Sequence, residues 1–305
     1  MQNGQPPSAQ RSDATAITNA LTVDVEDYFQ VEAFADRIAR ASWESIPRRV
    51  EANVDRILDL FAAGGVRATF FTLGWIAERH PAMIRRIAAG GHEVASHGYD
   101  HRRADRLDPP GFRQDVRRAK AILEDLAARP VAGYRAPTFS IGSGNRWAYE
   151  ILEEEGYRYS SSLYPIRHDL YGDAGAPRAP FRPAGALWEL PLTTRRLWGQ
   201  NVPCAGGGYF RLLPYWLSRC NLRAVNAAEA WPCIFYLHPW ELDAAQPRVA
   251  GIGWRTRLRH YLNLAAMPGR LERLVRELRW APMSEVFADR LRAPADQPAV
   301  APARG

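Results

Sequence analysis

The pattern of apolar and polar positions along this chain switches repeatedly between two periods. ALTVDV (20–25), VRATFFTL (66–73), HEVASH (92–97), VAGYRAP (131–137) and YRYSSSLY (157–164) are short runs that read as strands. Longer stretches of helical spacing separate them. In RRVEANVDRILDLFAAGG (48–65), Val50, Val54, Ile57, Leu58 and Phe61 fall on one helical face, and Gly64 and Gly65 end it. HPAMIRRIAAGG (80–91) opens near proline and closes on glycine, the usual asymmetry of a helix. PPGFRQDVRRAKAILEDLAAR (109–129) and SGNRWAYEILEEEG (143–156) continue the series. Strand and helix alternate about five times, which predicts a parallel sheet with covering helices, either open or closed into a barrel. Polar residues crowd the C-terminal strand ends: Asp24, Glu26 and Asp27, then His97, then Arg135. In barrels and open α/β sheets that is the end where sites are built.

The pattern loosens after residue 165. Residues 165–210 are rich in Pro, Gly and aromatic residues and read as loops with short strands. LPYWLSRCNLRAVNAAEA (213–230) reads as a helix, and PCIFYLHPWELD (232–243) as an apolar strand that ends in His238. Two Arg-rich amphipathic helices, WRTRLRHYLNL and GRLERLVRELRW, are expected within 253–290. The expected organisation is a flexible tail over 1–18, a main domain over 19–245, a helical extension packed on it over 246–292, and a Pro/Ala-rich disordered tail over 293–305.

Composition adjusts this picture slightly. With 305 residues, 47% of them hydrophobic, the chain can build one large α/β domain or two modest ones. The net charge of +7 suits anionic partners, and every basic residue except Lys120 is arginine. Arginines and acids are interleaved along the helical segments, as on solvated faces, and no basic run interleaves with aromatics, which argues against a nucleic-acid partner. Cys204, Cys220 and Cys233 are odd in number and lack metal-type spacing, which argues against a disulfide framework and for a reducing compartment. The polar N-terminus lacks the apolar core of a signal peptide, and no run of about 18 apolar residues could span a membrane. These features predict a cytoplasmic protein, free or at the inner membrane surface. They are silent on oligomeric state.

Candidate chemistry lies in four segments. His97 and His101, in ASHGYDH, are four residues apart, so on one side of a helical turn both imidazoles would reach one cation. Three carboxylates, Asp24, Glu26 and Asp27, sit within TVDVEDY, where their mutual repulsion needs an offset. A zinc-like divalent ion takes histidine nitrogens plus a carboxylate, so His97, His101 and one of these acids form a possible ligand set, with a second acid to accept a proton from water. Arg135, at the end of its strand in YRAP, is placed to hold a carboxylate. His238, in FYLHPWE, ends an apolar strand and so belongs at a site mouth, where it could protonate a leaving group.

In this order, TVDVED, SHGYDH, YRAPTF and YLHPW resemble the motifs of the NodB-type polysaccharide deacetylases, carbohydrate esterase family four. ATFF and GGHEVASH fit the same pattern, and the match spans residues 20 to 240. The DVEDYF variant and the Arg-rich extension are similar to the deacetylases found with exosortase (PEP-CTERM) exopolysaccharide clusters. The resemblance implies a distorted (β/α) barrel of about seven units, a divalent metal, most commonly Zn2+, and removal of N-acetyl groups from amino sugars of a polysaccharide or oligosaccharide. It implies Asp24 as general base, His97 and His101 as metal ligands, Arg135 as the tether of Asp24, and His238 as general acid. The backbone N–H near Thr138 would stabilise the oxyanion.

Two departures from the family pattern matter. D-V-E-D replaces the usual adjacent Asp pair, so the third ligand is Glu26 or Asp27; strand alternation puts Asp24 and Glu26 on one side and favours Glu26. YSSS (159–162) replaces a segment that commonly carries an acid to pair with the histidine, which leaves the tuning of His238 open. Tyr28, Phe29 and Trp240 are candidate sugar-facing aromatics, with core packing as the alternative. The competing functions are a small-molecule amide hydrolase of the same fold, similar to allantoinases, a glycosidase, and a non-catalytic carbohydrate-binding protein. A glycosidase needs two carboxylates across a sugar and no histidine pair.

Overall fold

The computed structural model describes residues 17–293, and the rest of both expected tails lies outside them. Its strands, in chain order, are β1 (Thr18–Val25), β2 (Thr69–Thr72), β3 (Glu93–Ser96), β4 (Gly133–Tyr134), β5 (Tyr159–Ser160), β6 (Phe181–Ala184), β7 (Leu187–Glu189), β8 (Thr194–Leu197), β9 (Gln200–Pro203), β10 (Ile234–Leu237) and β11 (Arg279–Ala281). The main sheet runs β10-β1-β2-β3-β4-β5-β7-β6. All of its ladders are parallel except that between β6 and β7, and the curled sheet forms a half-barrel. β8 and β9 form a separate antiparallel hairpin.

The helices are α1 (Val50–Gly64), α2 (Gly74–Arg79), α3 (Pro81–Ala89), α4 (Pro109–Ala127), α5 (Trp147–Glu154), α6 (Gly207–Leu212), α7 (Tyr215–Glu229), α8 (Trp254–Tyr261), α9 (Met267–Glu277), α10 (Met283–Val286) and α11 (Ala288–Arg292). α1 buries Val50, Val54, Ile57 and Phe61, the stripe its spacing predicts, and stops where Gly65 turns left-handed at φ 63°. Burying side chains of this size stabilises the fold by about 1.5–3 kcal/mol each. On β1 every residue after Thr18 is buried, as expected for a central strand covered on both faces.

Register decides what the sheet can do. Val25, Thr72, Ser96, Tyr134, Ser160 and Glu189 form one row across the sheet. Glu26, His97 and Arg135 come one residue after members of that row. Leu237 pairs with Val23, so His238 follows beside Asp24. Residues far apart in sequence therefore converge on one edge because the strands end in register.

Three expectations change. His97 and His101 do not share a helical turn: they lie in a loop in which Gly98 (φ 76°) and His101 (φ 57°) are both left-handed. A Cβ at Gly98 would sit 2.8 Å from an Asp115 carboxylate oxygen, and that carboxylate accepts the Tyr99 N–H to fix the loop. The strand expected over 232–243 shrinks to β10 because Pro239 opens a 3-10 turn. The second Arg-rich segment supplies α9 but ends as β11, which pairs with the first residues of β1.

Candidate active site

Asp24 is buried at the end of β1, and one Nη of Arg135 donates to its Oδ1 at 2.6 Å. Arg135 is fully buried and also donates to the Thr22 hydroxyl, the Ser161 carbonyl and the Ser161 hydroxyl. Its guanidinium lies 4.1 Å above the Phe71 ring. Removing either partner of a pair this buried costs about 3–5 kcal/mol, because the other charge is stranded. The serine run supports this arginine: Ser162 accepts the Ala136 N–H, Ser160 and Ser162 are bonded to each other, and the N–H groups of Ser162 and Leu163 donate to Glu189.

Beside Asp24, ligand-type atoms of Glu26, His97 and His101 all lie within 4.8 Å of one another, and all three residues are buried. His97 Nδ1 is 2.8 Å from the Arg135 carbonyl, an acceptor, so Nδ1 carries the proton and Nε2 presents its lone pair. Burial holds the His97 imidazole neutral, with its pKa lowered to about 4. Glu26 Oε2 is 2.8 Å from His101 Nε2, yet it is a buried oxygen without an aligned hydrogen bond. Burial would raise the Glu26 carboxyl, but the fields of His101 and then His238 take it down to about 2. Two imidazoles around an orphaned carboxylate oxygen are what a divalent cation requires, with further positions open for water and substrate. The donor set fits such an ion.

His238 faces Glu26 from the other side, with Nε2 3.5 Å from Oε1. Its Nδ1 is 2.7 Å from Glu241, three residues later in the 3-10 turn. Glu241 is fully buried and receives the Nε of Arg211 at 3.0 Å. Arg211, also buried, donates to the carbonyls of Arg259, His260 and Leu262 at the end of α8. A Cβ at Gly207 would fall 2.1 Å from the Glu241 carboxylate, so glycine allows α6 to approach this close. Burial alone would lower the His238 pKa, but Glu26 and Glu241 raise it to about 9. Glu241 and Arg211 went unread in the sequence. HPWE contains the signal, an acid three residues after the histidine, but Arg211 has none because its partners are remote.

The remaining candidates sit as follows. Asp27 is turned away from the histidines: its Oδ2 accepts the N–H groups of Arg49 and Val50 at the start of α1, and its Oδ1 accepts that of Tyr28. Its carboxylate therefore caps a helix, which leaves Glu26 as the acid among the ligand atoms. Tyr28, Phe29 and Trp240 are all buried, so none presents an open face to a sugar. Tyr28 and Phe29 pack edge to face. Trp240 donates to Glu26 Oε1 at 3.2 Å and stacks between His238 and His260. Thr138 lies in a left-handed turn (φ 57°) just after Arg135, at the edge of the site. From that turn an open groove of about 650 Å3 extends, lined by Phe139, Ile141, Asn145 and Arg103 and by the stacked pair His168 and Tyr171.

Fold and site together define an α/β half-barrel with a candidate metal-binding hydrolytic centre at the C-terminal ends of its strands. Residues 35–160 match the family model for polysaccharide deacetylase, and residues 161–288 match a domain of unknown function, DUF3473. The chain is 30% identical over 143 residues to a peptidoglycan deacetylase-like protein, FGM2, of Gibberella zeae, covering 45% of this chain and 41% of that protein. It is 33% identical over 96 residues to a peptidoglycan-N-acetylglucosamine deacetylase of Bacillus cereus, covering 31% and 35%. The chain thus spans roughly two fifths of the length of these curated relatives. A solved putative polysaccharide deacetylase from Mycobacterium smegmatis shares the fold, with a TM-score of 0.58 at 23% identity over 95% of this chain and 96% of that one. The polysaccharide deacetylase match takes in His97, His101 and Arg135. Asp24 and Glu26 precede it, and His238 falls in the DUF3473 match.

Proposed function

We propose that this chain is a metal-dependent hydrolase that removes N-acetyl groups from amino sugars of a polysaccharide, in exopolysaccharide biosynthesis. The observation that carries the reading is the Glu26, His97 and His101 group set between Arg135-tethered Asp24 and Glu241-tethered His238. A divalent cation held by Glu26, His97 and His101, with zinc the best match to the donor set, would polarise the acetyl carbonyl and acidify a water. Asp24, fixed by Arg135, is placed to take a proton from the water that adds to the amide carbon. The backbone N–H near Thr138 donates to the oxygen that gains charge. His238 gives its Nε2 proton to the departing nitrogen. The C–N bond breaks, and acetate and a free amine leave. The open groove beside Thr138, with His168 and Tyr171 as a stacked face, suits a glycan chain better than a small amide.

The test is acetate release from N-acetylhexosamine oligomers by the purified chain, after chelation and after zinc is restored. Release that is lost with chelator and regained with zinc is expected. No release from any such glycan with zinc bound would sink the reading.

A further inference from the structure

Among the described residues six large apolar side chains stand exposed: Leu170, Trp198, Leu212, Trp216, Trp254 and Leu258. They are not scattered. Trp198 is 95% exposed at the tip of the β8–β9 hairpin, in a turn where it and Gly199 both have positive φ. Leu212 and Trp216 flank the corner between α6 and α7, and Trp254 and Leu258 lie four apart on α8.

A chain of contacts joins these elements around the mouth of the site. Arg259 of α8 pairs with Asp169, next to Leu170. Arg211 of α6 holds the carbonyls at the end of α8, and Asn263 donates back to the Arg211 carbonyl. Arg195 of the hairpin donates to Asn221 of α7, and Asn201 donates to the Pro165 carbonyl. His260 of α8 stacks on Trp240 inside the mouth.

Apart from Asp169, which Arg259 neutralises, the segments that carry the tryptophans of this rim lack negative charge. Residues 190–228 contain five arginines and no Asp or Glu, and residues 244–271 again contain five arginines and no Asp or Glu. Arg196, Arg255 and Arg257 point outward, and none of them forms an ion pair within the described residues.

We propose that this rim docks on the surface of an anionic lipid bilayer, with the tryptophans seated at the headgroup level and the arginines on lipid phosphates. Tryptophan and arginine are the side chains that partition to that interface, and surplus positive charge draws them to anionic lipid. Tryptophans carried on three separate elements suit a fluid surface, which moulds to each protrusion. A folded partner would need a complementary pocket for every one. The strong periodic signals of the sequence hide the rim because it is divided among three segments. Docked this way, the mouth faces the membrane and takes glycan held close to it. The proposal does not rest on the hydrolase reading, because lipid binding is measured without turnover.

The experiment is co-sedimentation of the full chain with vesicles of phosphatidylcholine alone and of phosphatidylcholine mixed with phosphatidylglycerol. The expected result is binding to the mixed vesicles, weakened about tenfold or more by high salt and by omission of the anionic lipid. Trp198→Ala and the pair Arg255→Glu, Arg257→Glu should each weaken it about tenfold, with an unchanged circular dichroism spectrum. Trp198 has almost no packing to lose, so that variant keeps the test valid if the helix variant misfolds. Equal binding to both vesicle types, no binding to either, or wild-type binding by both variants overturns the proposal. So does self-association, or capture by soluble heparin, that Trp198→Ala abolishes while vesicles bind nothing.

Discussion

The two halves of the molecule position their site residues by different physics. Up to residue 160, the site is built by backbone: β1, β3 and β4 end in register, and Glu26, His97 and Arg135 follow directly. Beyond it, the site is built by side chains: His238 leans on Glu241, Glu241 on Arg211, and Arg211 on three carbonyls of the α8 end. A sheet register survives most substitutions, whereas a relay of buried ions fails at its weakest member. The ligand half should therefore respond to mutation with loss of metal, and the His238 half with loss of turnover while metal is kept.

The largest expected effects test that split. His101→Ala should remove bound zinc, read by metal analysis, and lower acetate release by roughly 10³-fold or more. Asp24→Asn should keep zinc yet lower kcat by roughly 10²–10⁴-fold. Full activity in Asp24→Asn would remove it from the role of base. Next comes Glu241→Gln, expected to lower kcat about 10–100-fold with KM and zinc content near wild type. If it behaves like His101→Ala, the two halves are not separable.

A smaller effect concerns protonation. In metal-free protein the His238 imidazole should titrate near pH 9 by NMR, protonated below that value and neutral above it. Its interactions then favour the fold fully below the ordinary histidine pKa of about 6.5, and that contribution is lost as pH rises through about 9. Zinc should move this titration downward, because the cation claims the charge of Glu26. An unchanged titration would show that Glu26 is not a ligand. The smallest effect belongs to Asp27→Ala, expected to cost about 1 kcal/mol through loss of the α1 cap, with zinc content unchanged. Loss of zinc in that variant would return Asp27 to the ligand set.

The contrast between the halves also explains what the sequence disclosed. Val50, Val54, Ile57 and Phe61 announce α1 because periodicity is local, and the β/α alternation follows from a series of such segments. His97, Arg135 and His238 could be placed at strand ends because each follows a strand-like run, and His101 just beyond the first by its spacing from His97. Three kinds of fact were legible only in part or not at all. Strand alternation favoured Glu26 over Asp27 beside Asp24, but the use of Asp27 as a helix cap depends on the path of the chain toward α1. Tyr28, Phe29 and Trp240 could be core or surface by composition, and packing made them core. The α9 segment was correctly helical, but the edge of β1 drew Arg279–Ala281 into the sheet, a pairing between residues almost a chain length apart.

That last pairing bears on how the protein is made. The strand that carries Asp24 emerges from the ribosome before the other described strands, yet its partners β10 and β11 emerge after all the rest of them. Until then β1 has only β2 for company, and the acids at its tip have no His238 to face. Assembly of the centre thus waits until β10 has followed the rest of the sheet. A chain halted after α7 would carry both histidines and all three acids and still lack a working centre.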